Sequence, residues 1–304
     1  MSPKQYPRRI ITDDDSFIMS PKNDFAFRLL FGDERFDELL ISLLSAILGQ
    51  HIDQVTIKSP HLLPMFYKDK EGILDVKAVI DGRALVDIEM QLNECPEMMN
   101  RILLYWSKLY SSQIREGDDY DLLEKTISIL IMDYISLPSD EMQTCFQLRE
   151  CQQKLDLTDM IEVHTIELPK LHKQGRRDTN TEQIQWMTFL NAESIEELKM
   201  ASEANPVIKK ATDLLITMSQ DEETRQIYEA REQYLLDQKL RMAAMRRKGI
   251  AEGIEKGREE GREEGREIEK HNVARILVAA GMDNEFISTV TGLPPEEISK
   301  IRMI

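Results

Sequence analysis

Three features predict an α/β domain followed by a long helical extension. Residues 33–48 place apolar side chains at helical spacing, and residues 71–91 alternate as strands do around an Asp81-Gly82 turn. Residues 195–199, 207–219 and 221–248 lack Gly and Pro and are rich in strong helix formers. Helix, strands, helix and strand in that order fit one domain ending near residue 190.

Residues 1–19 read as a poorly ordered arm. From Asp33, the side chains Phe36, Leu39, Leu40, Leu43, Leu44, Ile47 and Leu48 form one helical face, and Gly49 ends the helix. A strand is expected from Val55 to Lys58, then a hairpin. Its first strand, Ile73 to Ile80, is apolar apart from Asp75 and Lys77. Its second sets Val86, Ile88 and Met90 on one face and Asp87, Glu89 and Gln91 on the other. Pro96 to Arg115 reads as a long helix closed by Glu116-Gly117. Lys125 to Ile135 is apolar enough for a strand covered on both faces. Cys145 to Arg149 and Ile161 to Leu168 are further candidate strands.

The hairpin carries the chemistry. Acids converging from two paired strands can hold a divalent metal, provided they share a face. A two-residue loop at Asp81-Gly82 would pair Asp75 with Ile88 and separate the acids. A three-residue loop, with Gly82 or Arg83 left-handed, puts Asp75 on the face of Asp87, Glu89 and Gln91. Metal binding therefore requires an odd loop. The alternative is an ordinary hairpin with a solvated polar face.

The extension divides into a helical region (191–248), a repeat (249–270) and a small unit (271–304). In the repeat, Gly249, Gly253, Gly257, Gly261 and Gly265 recur every four residues beside Arg258, Arg262 and Arg266. Glycine costs a helix about 1 kcal/mol per residue, more than the nearby Glu-Arg pairs return. Two readings stay open, close helix packing in a homodimer or a charged linker. The last unit resembles a helix-turn-helix, but Glu285, Glu296 and Glu297 favour a protein contact over groove reading.

Composition sets limits. The 304 residues are 41% hydrophobic, enough for a sizeable core, and carry a net charge of −16. Such a chain has no long-range attraction to nucleic acid, so DNA binding must come from local cations and bound metal. Cys95, Cys145 and Cys151 show no CxxC pairing, which predicts a reduced protein. No apolar run is long enough to span a bilayer, and the first residues lack a signal peptide's apolar core. A cytoplasmic protein without a membrane partner is expected.

Asp75 followed by Glu89-Met90-Gln91 resembles the D…(D/E)xK signature of the PD-(D/E)XK nucleases, with Gln in place of Lys. Ser20-Pro21-Lys22-Asn23-Asp24-Phe25-Ala26-Phe27 and Leu30-Phe31-Gly32 are similar to the opening of the Rpn group (recombination-promoting nuclease, putative transposase). Arg101, Tyr105, Trp106, Tyr110, Gly117 and Tyr120 resemble that group's following helix. The resemblance covers residues 20–140 best. It implies a restriction-endonuclease-like mixed sheet flanked by helices, over residues 20–190. It also implies a Mg²⁺- or Mn²⁺-dependent DNA endonuclease linked to recombination or transposition.

On that basis Asp75 and Glu89 are the expected metal ligands, joined by the Met90 carbonyl, and Gln91 orients the attacking water. Oxygen ligands suit Mg²⁺ or Mn²⁺. Asp87 is expected behind Glu89. Asp24 would supply the acid of the first helix, with Glu38 its competitor. Lys22 is a candidate phosphate contact. Arg101, Tyr105, Lys108 and Ser112 form one polar stripe that could hold DNA, opposite Ile102, Leu103, Trp106, Leu109 and Tyr110. Lys239, Arg241, Arg246, Arg247 and Lys248 are a further basic cluster. The rival to an enzyme is a nuclease-derived scaffold that self-associates.

Overall fold

Helices and strands mix as far as residue 167, and the described residues beyond are helical wherever they are regular, in a computed structural model that describes residues 9–12, 16–62, 72–174, 181–203 and 205–303. The helices are α1 (Asp24–Phe31), α2 (Asp37–Leu48), α3 (Met98–Ser111), α4 (Glu182–Asn191), α5 (Ile195–Glu203), α6 (Pro206–Ser219), α7 (Glu222–Ala279), α8 (Asn284–Thr291) and α9 (Pro295–Arg302). The strands are β1 (Val55–Lys58), β2 (His61–Leu62), β3 (Gly72–Ile73), β4 (Val76–Ile80), β5 (Ala84–Gln91), β6 (Lys125–Met132), β7 (Gln143–Phe146) and β8 (Ile161–Glu167). Two compact units result, residues 1–236 and 237–304.

The first unit is built on a six-stranded mixed sheet of order β1-β4-β5-β6-β8-β7. Strands β5, β6 and β8 run parallel at its centre, and β1, β4 and β7 pair antiparallel toward the edges. Burial on both faces explains the continuous apolar run of β6, whose residues from Thr126 to Met132 are all buried. One face presents Val86, Ile88, Met90, Ile127, Ile129 and Ile131 to a core shared with α1, α2, α4, α5 and α6. On the other face α3 lays Met98 and Ile102 against Leu130, Met132 and Val163.

The stop signal at Gly49 works as expected. This residue takes φ +65° and donates its N–H to the Ser45 carbonyl. Asn23 caps α1 by accepting from the N–H groups of Phe25 and Ala26. The first hairpin strand departs from expectation, because it breaks at Leu74-Asp75. Gly72–Ile73 pairs separately with His61–Leu62, and the ladder with β5 starts at Val76.

The expected arm also differs. Ile10, Ile18 and Met19 lie in the core, and Ile11 exchanges backbone hydrogen bonds with Glu193 and Ile195. Burying two isoleucines and a methionine is what fixes them; residues 1–8 and 13–15 lie outside the described residues. Helices beyond residue 190 join the same core through Leu198, Ile208, Ala211, Leu215 and Tyr228.

In the second unit, α7 runs helically through the whole glycine repeat. Ala274, Ile287, Leu293 and Ile298 form a small core shared by the end of α7 with α8 and α9. Among the described residues, no helix is long and apolar enough to cross a membrane.

Candidate active site

Backbone geometry at the hairpin turn decides which face each acid occupies. Asp81 and Gly82 have φ of +49° and +66°, and the Arg83 N–H donates to the Ile80 carbonyl at 2.9 Å. Positive φ at both central positions gives the primed turn that strand twist favours. Left-handed backbone therefore falls on Asp81 and Gly82, not on Arg83. The Asp81 carboxylate is anchored by the N–H groups of Asp53 and Gln54 at 3.0 and 2.9 Å. Ile80 pairs with Ala84 and Val76 with Ile88, so the loop is odd. One step past the ladder, Asp75 stands across from Glu89.

Where the β4 ladder stops, the Met90 N–H donates to Asp75 Oδ2 at 2.8 Å. The N–H and C=O of a strand residue point to the same neighbour, so the Met90 carbonyl leaves on the Asp75 edge. Burial pushes the Asp75 pKa up to about 6, against the Met90 hydrogen bond and with help from the charge of Asp24. Glu89 is raised well above the carboxylate range by burial and by Asp75, which Arg101 partly offsets. Arg101 Nη2 donates to Glu89 Oε2 at 3.1 Å, whereas Glu89 Oε1 is buried without a partner among the described residues.

Behind this pair, Asp87 is fully buried opposite Lys77 and beside Ser128. Ser128 Oγ donates to its Oδ1 at 2.5 Å, Oδ2 has no partner, and burial lifts its pKa to about 7. At the end of β5, Gln91 gives its Nε2 hydrogen to the Asn93 carbonyl at 2.9 Å.

Asp24 reaches the same neighbourhood from the first turn of α1. Its carboxylate accepts a forked pair of bonds from Arg231 Nε and Nη2, and Arg28 Nη2 lies 3.7 Å away. Arg28 Nε is also 4.0 Å from Asp75 Oδ1. Glu38, the competitor, is spent on an exposed pair with Lys210.

Two expected phosphate contacts are corrected. Lys22 is buried, held by Asp133 at 3.1 Å and Asn191 at 3.0 Å, and so does not face a ligand. Lys108 is buried on the sheet side of α3. The polar stripe is not uniformly wet. Ser112 is exposed, Arg101 and Tyr105 are half-buried, and of the opposite set Ile102 and Leu109 are buried while Leu103 is exposed. The sheet face under α3 is mixed: Leu130, Met132 and Val163 meet Met98 and Ile102, and Glu89 draws Arg101 inward. Arg101 lies over the Tyr105 ring at 5.2 Å.

These residues fit a divalent cation. Two neighbouring carboxylates, Glu89 buried and Asp75 largely so, both resist ionisation, and one oxygen each of Glu89 and Asp87 lacks a donor among the described residues. A proton or a metal ion would satisfy them, and an all-oxygen set suits Mg²⁺ or Mn²⁺.

Another group, Cys145, Glu162 and His164 on β7 and β8, has ligand atoms within 4.8 Å of one another. Its hydrogen bonds argue against metal. Gln143 Nε2 donates to the Ile47 carbonyl and approaches His164 Nδ1 at 3.0 Å, which makes Nδ1 the acceptor. The proton then sits on Nε2, the atom facing Glu162 and Cys145.

Sequence reasoning missed Arg28, Ser128 and Arg231. Arg28 is one helical turn from Asp24 and was legible by spacing; Arg231 lies 207 residues away and was not. The description "PD-(D/E)XK nuclease family transposase" fits residues 21–244, which reaches past Arg231. No curated protein and no solved structure gives a significant match. With the six-stranded mixed sheet and most of its length matched, the chain belongs to the PD-(D/E)XK nuclease family transposases.

Proposed function

We propose that the chain is a metal-dependent DNA endonuclease that hydrolyses phosphodiester bonds. The observation that carries this reading is Glu89 Oε1, a buried carboxylate oxygen with no donor among the described residues, set across from a second acid, Asp75. Asp75, Glu89 and the Met90 carbonyl would hold Mg²⁺ or Mn²⁺. A divalent ion there would lower the pKa of a bound water and offset charge on the phosphate.

Gln91 would then orient the water through Oε1, because its Nε2 is pinned to Asn93. A neutral amide neither accepts the water's proton nor adds positive charge, so slower chemistry than with lysine is expected. Asp24 completes the acids, close enough to raise the Asp75 pKa. Each of these groups serves to hold a cation or a water, which supports hydrolysis and adds nothing for strand transfer.

Isothermal titration with Mn²⁺ tests the assignment. Wild type should bind, and Glu89→Ala should abolish the isotherm; unchanged binding in that variant sinks the ligand set. A second reading, a weakly active scaffold that self-associates, is favoured by Gln91 and by the α7 glycines. From Gly249 to Gly265 no atom of the described residues comes within 4 Å of where a Cβ would stand. A second copy of the helix could approach there. Deletion after Lys248 with no change in sedimentation would remove the homodimer.

A further inference from the structure

The acidic chain poses a problem for any DNA-binding role, and the site answers it with arginines. Lys22 and Lys108 are buried, so they supply no phosphate contact. Around the carboxylates stand Arg28, Arg101 and Arg231, with side chains 36%, 38% and 35% exposed. Each therefore has one side on the acids and another at the surface.

Arg231 is the most fully positioned of the three. Its Nε lies 2.9 and 2.8 Å from the two Asp24 oxygens, and Nη2 bonds Oδ2 as well. The guanidinium lies 5.2 Å from the Tyr234 ring centroid, one turn along α7. Neighbouring contacts seat that part of α7 against the start of α1. The Ser20 N–H donates to the Tyr228 hydroxyl at 3.0 Å, and Asn23 Nδ2 donates to Glu232 at 2.6 Å. Five N–H donors make up the arginine fork. Asp24 occupies the Nε and Nη2 edge, which leaves the Nη1 hydrogens for a second acceptor.

We infer that Arg231 is a substrate-positioning residue, which grips a phosphate oxygen of DNA while Asp24 fixes its orientation. The inference rests on the endonuclease reading and deepens it. A planar fork suits a phosphate oxygen better than a lysine ammonium does, and here it is delivered by a helix beyond the sheet domain. One arginine-phosphate contact on duplex DNA changes the salt slope of log K by about 0.9. A charged hydrogen bond of this type is worth about tenfold in affinity.

The test is fluorescence anisotropy of labelled duplex DNA with the full chain, in Ca²⁺, across a salt series. Arg231→Ala and Arg231→Lys are compared with Arg275→Ala, which removes an equal charge from an exposed position of α7 outside this site. The double variant Asp24→Asn with Arg231→Gln leaves no bare carboxylate and guards against misfolding, with thermal melting of each variant as the check. Arg231→Ala should bind about tenfold more weakly with a slope lower by about 0.9, Arg231→Lys should recover part, and Arg275→Ala should match wild type. The double variant should bind as weakly as Arg231→Ala. Unchanged affinity and slope in a folded Arg231 variant overturns the inference alone, and a lowered melting point with normal binding assigns the pair a structural role. No DNA binding by wild type overturns both this inference and the endonuclease reading.

Discussion

Replacing Asp87 with Asn should stabilise the metal-free protein, and by more at high pH. Asp87 is fully buried, has one partner at Ser128 and leaves Oδ2 unpartnered. Burial raises its pKa from 3.8 to about 7. At about 1.4 kcal/mol per unit, holding the ionised form in the fold costs on the order of 4 kcal/mol. The sign follows from linkage: a carboxyl raised in the fold binds its proton more tightly there than in the unfolded chain. The penalty is absent below pH 3.8, grows as pH rises and is complete above about 7.

Asparagine removes that penalty and keeps a partner for Ser128. The pKa of about 7 already includes the attraction of half-buried Lys77 opposite, so its loss adds no further cost. The net gain is therefore about 4 kcal/mol at pH 8 and about 2 kcal/mol at pH 5.5. Urea unfolding in EDTA at both pH values measures it. An Asp87→Asn protein less stable than wild type at pH 8, or a gap that does not change with pH, would refute the reasoning.

Mn²⁺ affinity should fall as pH drops from 7.5 to 5.5, by about tenfold or more, because protons on Asp75 and Glu89 compete with the ion; calorimetry at the two pH values checks this, and a flat profile contradicts it. Ile10→Ala should cost about 2–4 kcal/mol in urea unfolding, since Ile10 is only 1% exposed within the core; a cost near zero would return it to a loose arm. Gly82→Ala should cost about 1–2 kcal/mol, from φ alone, as no atom lies within 4 Å of the new Cβ; no cost would show that the turn differs.

The hairpin was the most legible part of this chain. Alternation in β5 fixed its faces, and the metal idea required an odd loop, which the Ile80-Ala84 pairing provides. What local pattern did not reveal is that Asp81 is braced by Asp53 and Gln54 from the preceding segment. The inward face of α3 was read correctly at Ile102 and Leu109, but Leu103 is exposed and Lys108 of the polar stripe is buried. The surface beneath is mixed, apolar at Leu130, Met132 and Val163 and acidic at Glu89, so periodicity alone does not decide which residues turn inward. Helix α4 was not anticipated, although Trp186, Met187, Phe189 and Leu190 are wholly buried. Arg231 could not have been found, since nothing in a sequence links it to Asp24 until the chain folds.

The central claim is tested most directly by nicking of supercoiled plasmid with Mg²⁺ or Mn²⁺, comparing wild type with Asp75→Ala and Glu89→Ala. The account predicts metal-dependent nicking by wild type and none by either variant. Equal nicking by all three, or none by wild type with either metal, would contradict it.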